Sequence, residues 1–384
     1  NRNNKMKKTL LTLSIMSTFG ATTVFAQDAT YQGAAVDAEI ANTCIVRFKD
    51  DVSKFDVEGK ARGMVAKANA QAKHVYKNTI KGMAVNMSCD KAKSAFAGNS
   101  DVMRFTPDGK VYASPAKAKG KPDGGSNPQT TPWSVTRVGG PVNGNGYTAW
   151  VIDTGIDLDH QDLNVDASRG FSAFSSGRNA GMDDGNGHGT HVAGTIGALD
   201  NDIDVVGVAA GTTVVPVKVL DARGSGSWSG VLAGVDHVAV NASPGDCANM
   251  SLGGGFNQEL NDAVESAAQQ SGAFFVVAAG NESQHAANVS PASASHNRVF
   301  TISATDSNDR FASFSNYGNP PVDYAAPGVG ILSLKNGGGT ATMSGTSMAS
   351  PAACAVIMMR NGNPGTDGKA SNDPDGNADS IVHL

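Results

Sequence analysis

Charge is scarce in this chain: only 17% of its 384 residues are Asp, Glu, Lys or Arg, and 40% are hydrophobic. That balance excludes a disordered polyelectrolyte, and 46 glycines without a repeat exclude collagen and a coiled coil. Four cysteines, Cys44, Cys89, Cys247 and Cys354, are too few for a disulfide scaffold and lack the close paired spacing of a zinc site. The longest mostly apolar run, Leu10 to Phe25, is too short and interrupted to span a bilayer, so no membrane span is expected. Enough apolar residues remain to bury a sizeable core in two or three units of ordinary size.

The little charge there is divides unevenly. Asn1–Thr130 holds 20 basic and 11 acidic residues, and Thr131–Leu384 holds 10 basic and 24 acidic. The two parts therefore attract each other, and ten scattered cations do not make a nucleic-acid surface. Residues 1–26 read as a signal peptide: Lys7-Lys8 follow Met6, an uncharged stretch runs to Phe25, and Val24-Phe25-Ala26 fits a cleavage site. Asn1–Lys5 precede that start and read as extraneous. A secreted product, extracellular or periplasmic, is the consequence.

Residues 27–113 show a compact α+β pattern, with strands at Cys44–Phe48 and within Val75–Met87 and helices at Phe55–Ala70 and Asp90–Ala97. Val102–Phe105 and Val111–Ala113 are expected to close a hairpin at Pro107-Asp108-Gly109. Residues 114–131, rich in Pro, Gly, Lys and Asn, read as a processing linker. A basic unit, a cuttable linker and an acidic unit suggest a precursor whose first part docks on its second.

Residues 132–360 alternate apolar strands with Gly-bounded helices. Strands are expected at Tyr147–Asp153, Val205–Ala209, Thr213–Val219, Ala248–Leu252, Phe274–Ala278 and Val299–Ala304; helices at Gly189–Leu199, Ser227–Val240, Leu260–Ser271 and Ser347–Met359. This is the pattern of an α/β fold with a mostly parallel sheet, in which active residues gather at the carboxyl ends of strands. Asp153 ends one strand before Thr154-Gly155. His188 lies between glycines where a helix begins. Ser347 stands at the mouth of another, where unpaired N–H groups favour developing negative charge and are expected to let Pro351 sit in the first turn.

In the order Asp, His, Ser, the runs Val151–Ile156, Gly187–Gly194 and Gly345–Ala349 closely resemble the three signatures of the subtilisin-like serine proteases, in the manner of the proteinase K branch. The resemblance covers most of Pro132–Arg360 and implies a subtilisin-like three-layer fold preceded by an inhibitory propeptide. It implies a serine endopeptidase acting on polypeptide substrates through an acyl-enzyme, with Ser347 as nucleophile, His188 as base and acid, and Asp153 orienting the imidazole. Asn281, after Phe274–Gly280, matches the family's oxyanion-hole amide. Gly224, Ser225, Gly226 and Ser251, Leu252, Gly253 match the paired edges between which a peptide lies as an added strand. His191 reads as a structural neighbour.

No cofactor is implied for catalysis. Structural calcium is, with Asp323 matching one ligand position of the branch. Cys44 and Cys89 can pair in the first unit, and Cys247 with Cys354 in the second, and spacing decides neither. The chain departs from the family after Pro351, where Ala352-Ala353-Cys354 follow, and residues 361–384 read as a polar tail with little to bury. Two other readings stay open: a catalytically impaired secreted binding protein, and a metal hydrolase using His188, His191, Asp183 and Asp184.

Overall fold

The computed structural model describes residues 37–113 and 128–384. The signal peptide and most of the linker read from the sequence lie outside the described residues.

In the first unit β1 (Cys44–Phe48), α1 (Val57–Lys67), β2 (Ala72–Tyr76), β3 (Gly82–Val85), α2 (Cys89–Ala95) and β4 (Val102–Pro107) form an antiparallel sheet of order β2-β3-β1-β4 backed by two helices. Strand side chains alternate between faces. Cys44, Val46 and Phe48 therefore meet Val57, Ala61 and Met64 of α1, while Ile45 and Ala84 face the other way and join the core of the second unit. A disulfide ties Cys44 in β1 to Cys89 in α2. β5 (Lys110–Ala113) ends this unit.

The second unit contains β6 (Thr148–Asp153), α3 (His188–Gly197), β7 (Thr213–Lys218), β8 (Ser225–Ser227), α4 (Trp228–Asn241), β9 (Cys247–Met250), β10 (Leu252–Gly255), α5 (Gln258–Ser271), β11 (Phe274–Ala278), β12 (Val289–Ser290), β13 (Val299–Thr305), β14 (Val322–Pro327), β15 (Ile331–Leu334), β16 (Thr340–Met343), α6 (Thr346–Met359), β17 (Gly365–Lys369) and β18 (Ser380–His383). Its main sheet runs β17-β18-β14-β13-β11-β9-β6-β7, parallel except for the outer β17–β18 pair. Ala149 and Val151 of β6 face α3 and α6, whereas Trp150 and Ile152 face α4 and α5. Apolar residues at every strand position are what a sheet covered on both faces requires. The outer side of α4 and α5 carries the first unit.

Four expectations need correction. β5 does not pair with β4: the Pro107-Asp108-Gly109 turn is fastened to the start of α4, where Ser229 N and Oγ donate to Asp108 at 3.0 and 2.6 Å and Trp228 N donates to Gly109 O at 2.9 Å. Lys110–Ala113 is thereby delivered between β8 and β10. Val205–Ala209 is mostly irregular; only Ala209–Ala210 is strand, paired with Val142–Asn143 away from the main sheet. Residues 361–384 are no solvated tail, because β18 extends the sheet beside β14 and buries Ile381 and Val382 completely. Pro351 is the sixth residue of α6, beyond the first turn. Its missing N–H leaves the Ser347 carbonyl free, and Ser251 Oγ donates to that carbonyl at 2.8 Å.

Candidate active site

Asp153 and His188 meet because a strand end and a helix start are allowed to approach closely. Gly155 turns the chain at φ +103°, and a Cβ on Gly189 would lie 2.0 Å from the Gly155 carbonyl oxygen, so only glycine lets α3 pack against that turn. His188 Nδ1 then lies 2.7 Å from Asp153 Oδ1, both side chains buried. Burial works against a charged imidazole, but the Asp153 carboxylate outweighs it and raises the His188 pKa above its ordinary 6.5. His188 Nε2, the nitrogen that faces away from Asp153, has no partner.

Asp184 builds the entry to α3. Its carboxylate accepts from Asn186 N, Gly187 N, Thr190 N and Thr190 Oγ1 at 2.6–2.9 Å and from Thr154 Oγ1 at 2.8 Å. His191, one turn along, points elsewhere: Nε2 lies 3.1 Å from Ile331 O and 3.2 Å from Ala341 O, and burial, with His188 nearby, pushes its pKa down to about 3. It is a structural residue, as the sequence suggested. Among the described residues no group of three or more His, Cys, Asp or Glu side chains is placed to hold a metal ion.

Ser347 is fully buried at the second position of α6. Its Oγ donates to Ser251 O at 3.1 Å and is not hydrogen-bonded to His188. Asn281 Oδ1 accepts from Thr346 N and Thr346 Oγ1, both at 2.9 Å, which fixes the amide and leaves its Nδ2 buried without a partner. A methyl placed on Gly345 would sit 3.3 Å from Asn281 Nδ2 and 3.6 Å from Ser347 N. Two N–H groups thus border one small space beside Gly345. A disulfide from Cys247 in β9 to Cys354 anchors α6 to the sheet.

β5 runs antiparallel between the two predicted edges. Tyr112 lies opposite Ser225 and Gly253, Val111 opposite Gly226, and Ala113 opposite Leu252, with Ala113 N donating to Gly224 O at 2.8 Å. Val111 is fully buried in a cluster with Trp228, Val231 and Leu252, whereas Tyr112 points outward. Of the six predicted edge residues five flank this strand, and Ser251 instead anchors Ser347. Beyond Ala113 opens a cleft of about 720 Å³ lined by His188, Gly253, Gly254, Gly280, Glu282 and Met343 among others. Glu282 and Met343 carry no motif of their own and went unread in the sequence, whereas Gly254 closes the run Ser251-Leu252-Gly253-Gly254 that resembles the family's second edge.

The subtilase family model matches residues 144–367. A subtilisin-like serine protease of Sarocladium strictum is 40% identical over 337 residues, covering 82% of this chain and 78% of that protein. Proteinase R of Parengyodontium album is 38% identical, covering 83% and 80%. The crystal structure of a cold-adapted subtilisin-like serine proteinase superposes with TM-score 0.58 at 38% identity, covering 65% of this chain and 97% of that one. The chain belongs to the subtilase family.

This subtilase is a serine-type endopeptidase, and polypeptides are its substrate class. Its central sheet and helices are those of the family, while the β17–β18 pair extends the sheet where the sequence reading expected a polar tail. Among the described residues no helix is long and apolar enough to cross a membrane.

Proposed function

We propose that the chain is the precursor of a secreted endopeptidase that cuts itself. Ser347 is the nucleophile, His188 Nε2 takes its proton and passes it to the leaving amine, and Asp153 holds the imidazole and stabilises its cation. Asn281 Nδ2 and Ser347 N receive the oxyanion. The unpartnered Nε2 and Nδ2 support this assignment, since a buried polar atom rarely goes without a partner and both are left free to meet a substrate group. Residues 27–113 act as propeptide, inhibitor and folding template. The observation that carries the reading is β5, which lies in the cleft as a substrate would and leads directly toward His188. A fluorophosphonate probe should label Ser347 in processed protein, and Ser347→Ala should abolish both labelling and peptide hydrolysis, a loss of about 10⁶ by analogy with other serine proteases. Labelling that persists in Ser347→Ala would end the assignment.

Structural calcium belongs to the same proposal. Asp323 is a poor anchor alone, with Thr301 N on one oxygen and its pKa pushed up to about 6 by burial and by Asp379. Asp162 is no freer, since Asn201 Nδ2 and Val205 N donate to its two oxygens at 2.8 and 3.4 Å. It is fully buried under residues 199–205, and burial, partly offset by Asn201 Nδ2 and reinforced by Asp204, pushes it up to about 7. Saturating calcium should raise Tm by several degrees over chelator, and Asp323→Asn should remove that increment; a Tm indifferent to calcium would exclude the site.

A further inference from the structure

Lys218 is a buried cation that the catalytic roles above leave unused. It ends β7 opposite Asp153 in the parallel ladder, and it is only 2% exposed. Its Nζ donates to Thr154 O at 2.6 Å and to Asp183 O at 2.9 Å. Both partners are backbone carbonyls, although the carboxylates of Asp184, Asp183, Asp221 and Asp153 all bear on the ammonium and counter the burial that lowers its pKa. A buried ammonium is expensive where an apolar side chain would pack, so its position asks for a reason.

The two carbonyls supply one. Thr154 is the residue directly after Asp153. Asp183 pairs with Ile156 in an isolated bridge and precedes Asp184, whose carboxylate caps the entry to α3 and so sets where His188 stands. One ammonium therefore ties the segment that presents Asp153 to the segment that presents His188. It also places a positive charge among four carboxylates at the foot of the imidazole–carboxylate pair.

We infer that Lys218 is a positioning residue for the Asp153–His188 pair, clamping the two backbone segments that present it and setting the electrostatic balance in which the imidazole gains its proton. The inference rests on the roles proposed for Asp153, His188 and Ser347. Its sign is fixed by charge: a nearby cation disfavours imidazolium, so removing the cation makes His188 hold its proton to higher pH.

The test is the rate constant of fluorophosphonate labelling of processed protein from pH 5 to 9, which counts only folded, competent sites. Lys218→Met should lower the plateau about tenfold or more and move the acid limb up by roughly 0.5–1 pH unit. Lys218→Arg keeps the charge and should hold the limb at its wild-type pH with a reduced plateau, and it carries the test if Lys218→Met does not fold. A Lys218→Met limb at or below the wild-type pH, or a Lys218→Arg limb displaced upward, would overturn the inference. No labelling of wild type at any pH would instead remove the reading of Ser347 itself, and this inference with it.

Discussion

The first unit grips the second in two regions built on different chemistry. In the cleft, β5 is held by backbone pairing to residues 224–226 and 252–253, with one apolar side chain, Val111, in a pocket. On α4 and α5 it is held by side chains and charge. Arg47 pairs with Glu259 and Asp262, Arg104 Nε lies 2.6 Å from Glu259, and Asp236 collects Lys77 N, Asn78 N and Thr79 N at 2.8–3.2 Å. Backbone pairing accepts many sequences; the charged platform accepts this unit. On the proposed reading, the difference separates a substrate, which needs only the cleft, from a resident inhibitor, which uses both.

The largest break in that contrast comes from substituting one region at a time. Asp236→Ala should weaken retention of the cleaved first unit about 10²-fold or more while leaving KM for peptides within about twofold, because three N–H donors lose their acceptor far from the cleft. Gly254→Ala should instead raise peptide KM and loosen β5 together. Its Cβ would lie 2.7 Å from Lys110 O and 2.6 Å from the Trp228 ring, so peptide KM should rise about tenfold. The lag before activity appears in cleaved protein, beside steady-state kinetics, reads both; equal effects of the two substitutions on KM would erase the distinction.

A smaller effect follows from His74 on β2. It lines a cavity against Ala173, Phe174 and Asn179 of the second unit, its Nε2 unpartnered. Burial, helped by Lys73 and opposed by Glu39, lowers its pKa to about 4, and Asp221 lines the cavity from the other side. The docked value lies below the free value of 6.5. Docking is therefore at full strength above that pH and is lost as pH falls toward about 4, by up to about 10²-fold. His74→Leu should flatten that dependence; an unchanged acid profile would show that other groups control it.

The catalytic unit was legible because its chemistry is local in sequence. Asp153, His188, Ser347 and Asn281 each end or follow a strand or open a helix with glycines close by, and apolar runs announced most of the main sheet. What escaped depends on contacts distant in the chain. Pro107-Asp108-Gly109 carries a hairpin's letters, yet Ser229 and Trp228, over a hundred residues on, decide where the next strand goes. Ile381 and Val382 are two apolar residues in a polar stretch, too few to mark a strand until β14 stands beside them. Lys218 looks like the ordinary polar end of an apolar strand, and only the fold gives it two carbonyls to hold.

The central claim is that β5 occupies the cleft of an enzyme that will cut the chain close behind it. Intact-mass measurement of wild type and Ser347→Ala, each produced in a host lacking other proteases, tests it most directly. Wild type should yield a product beginning between Ser114 and Pro132, and Ser347→Ala should remain whole. Identical trimming of both proteins would contradict the account.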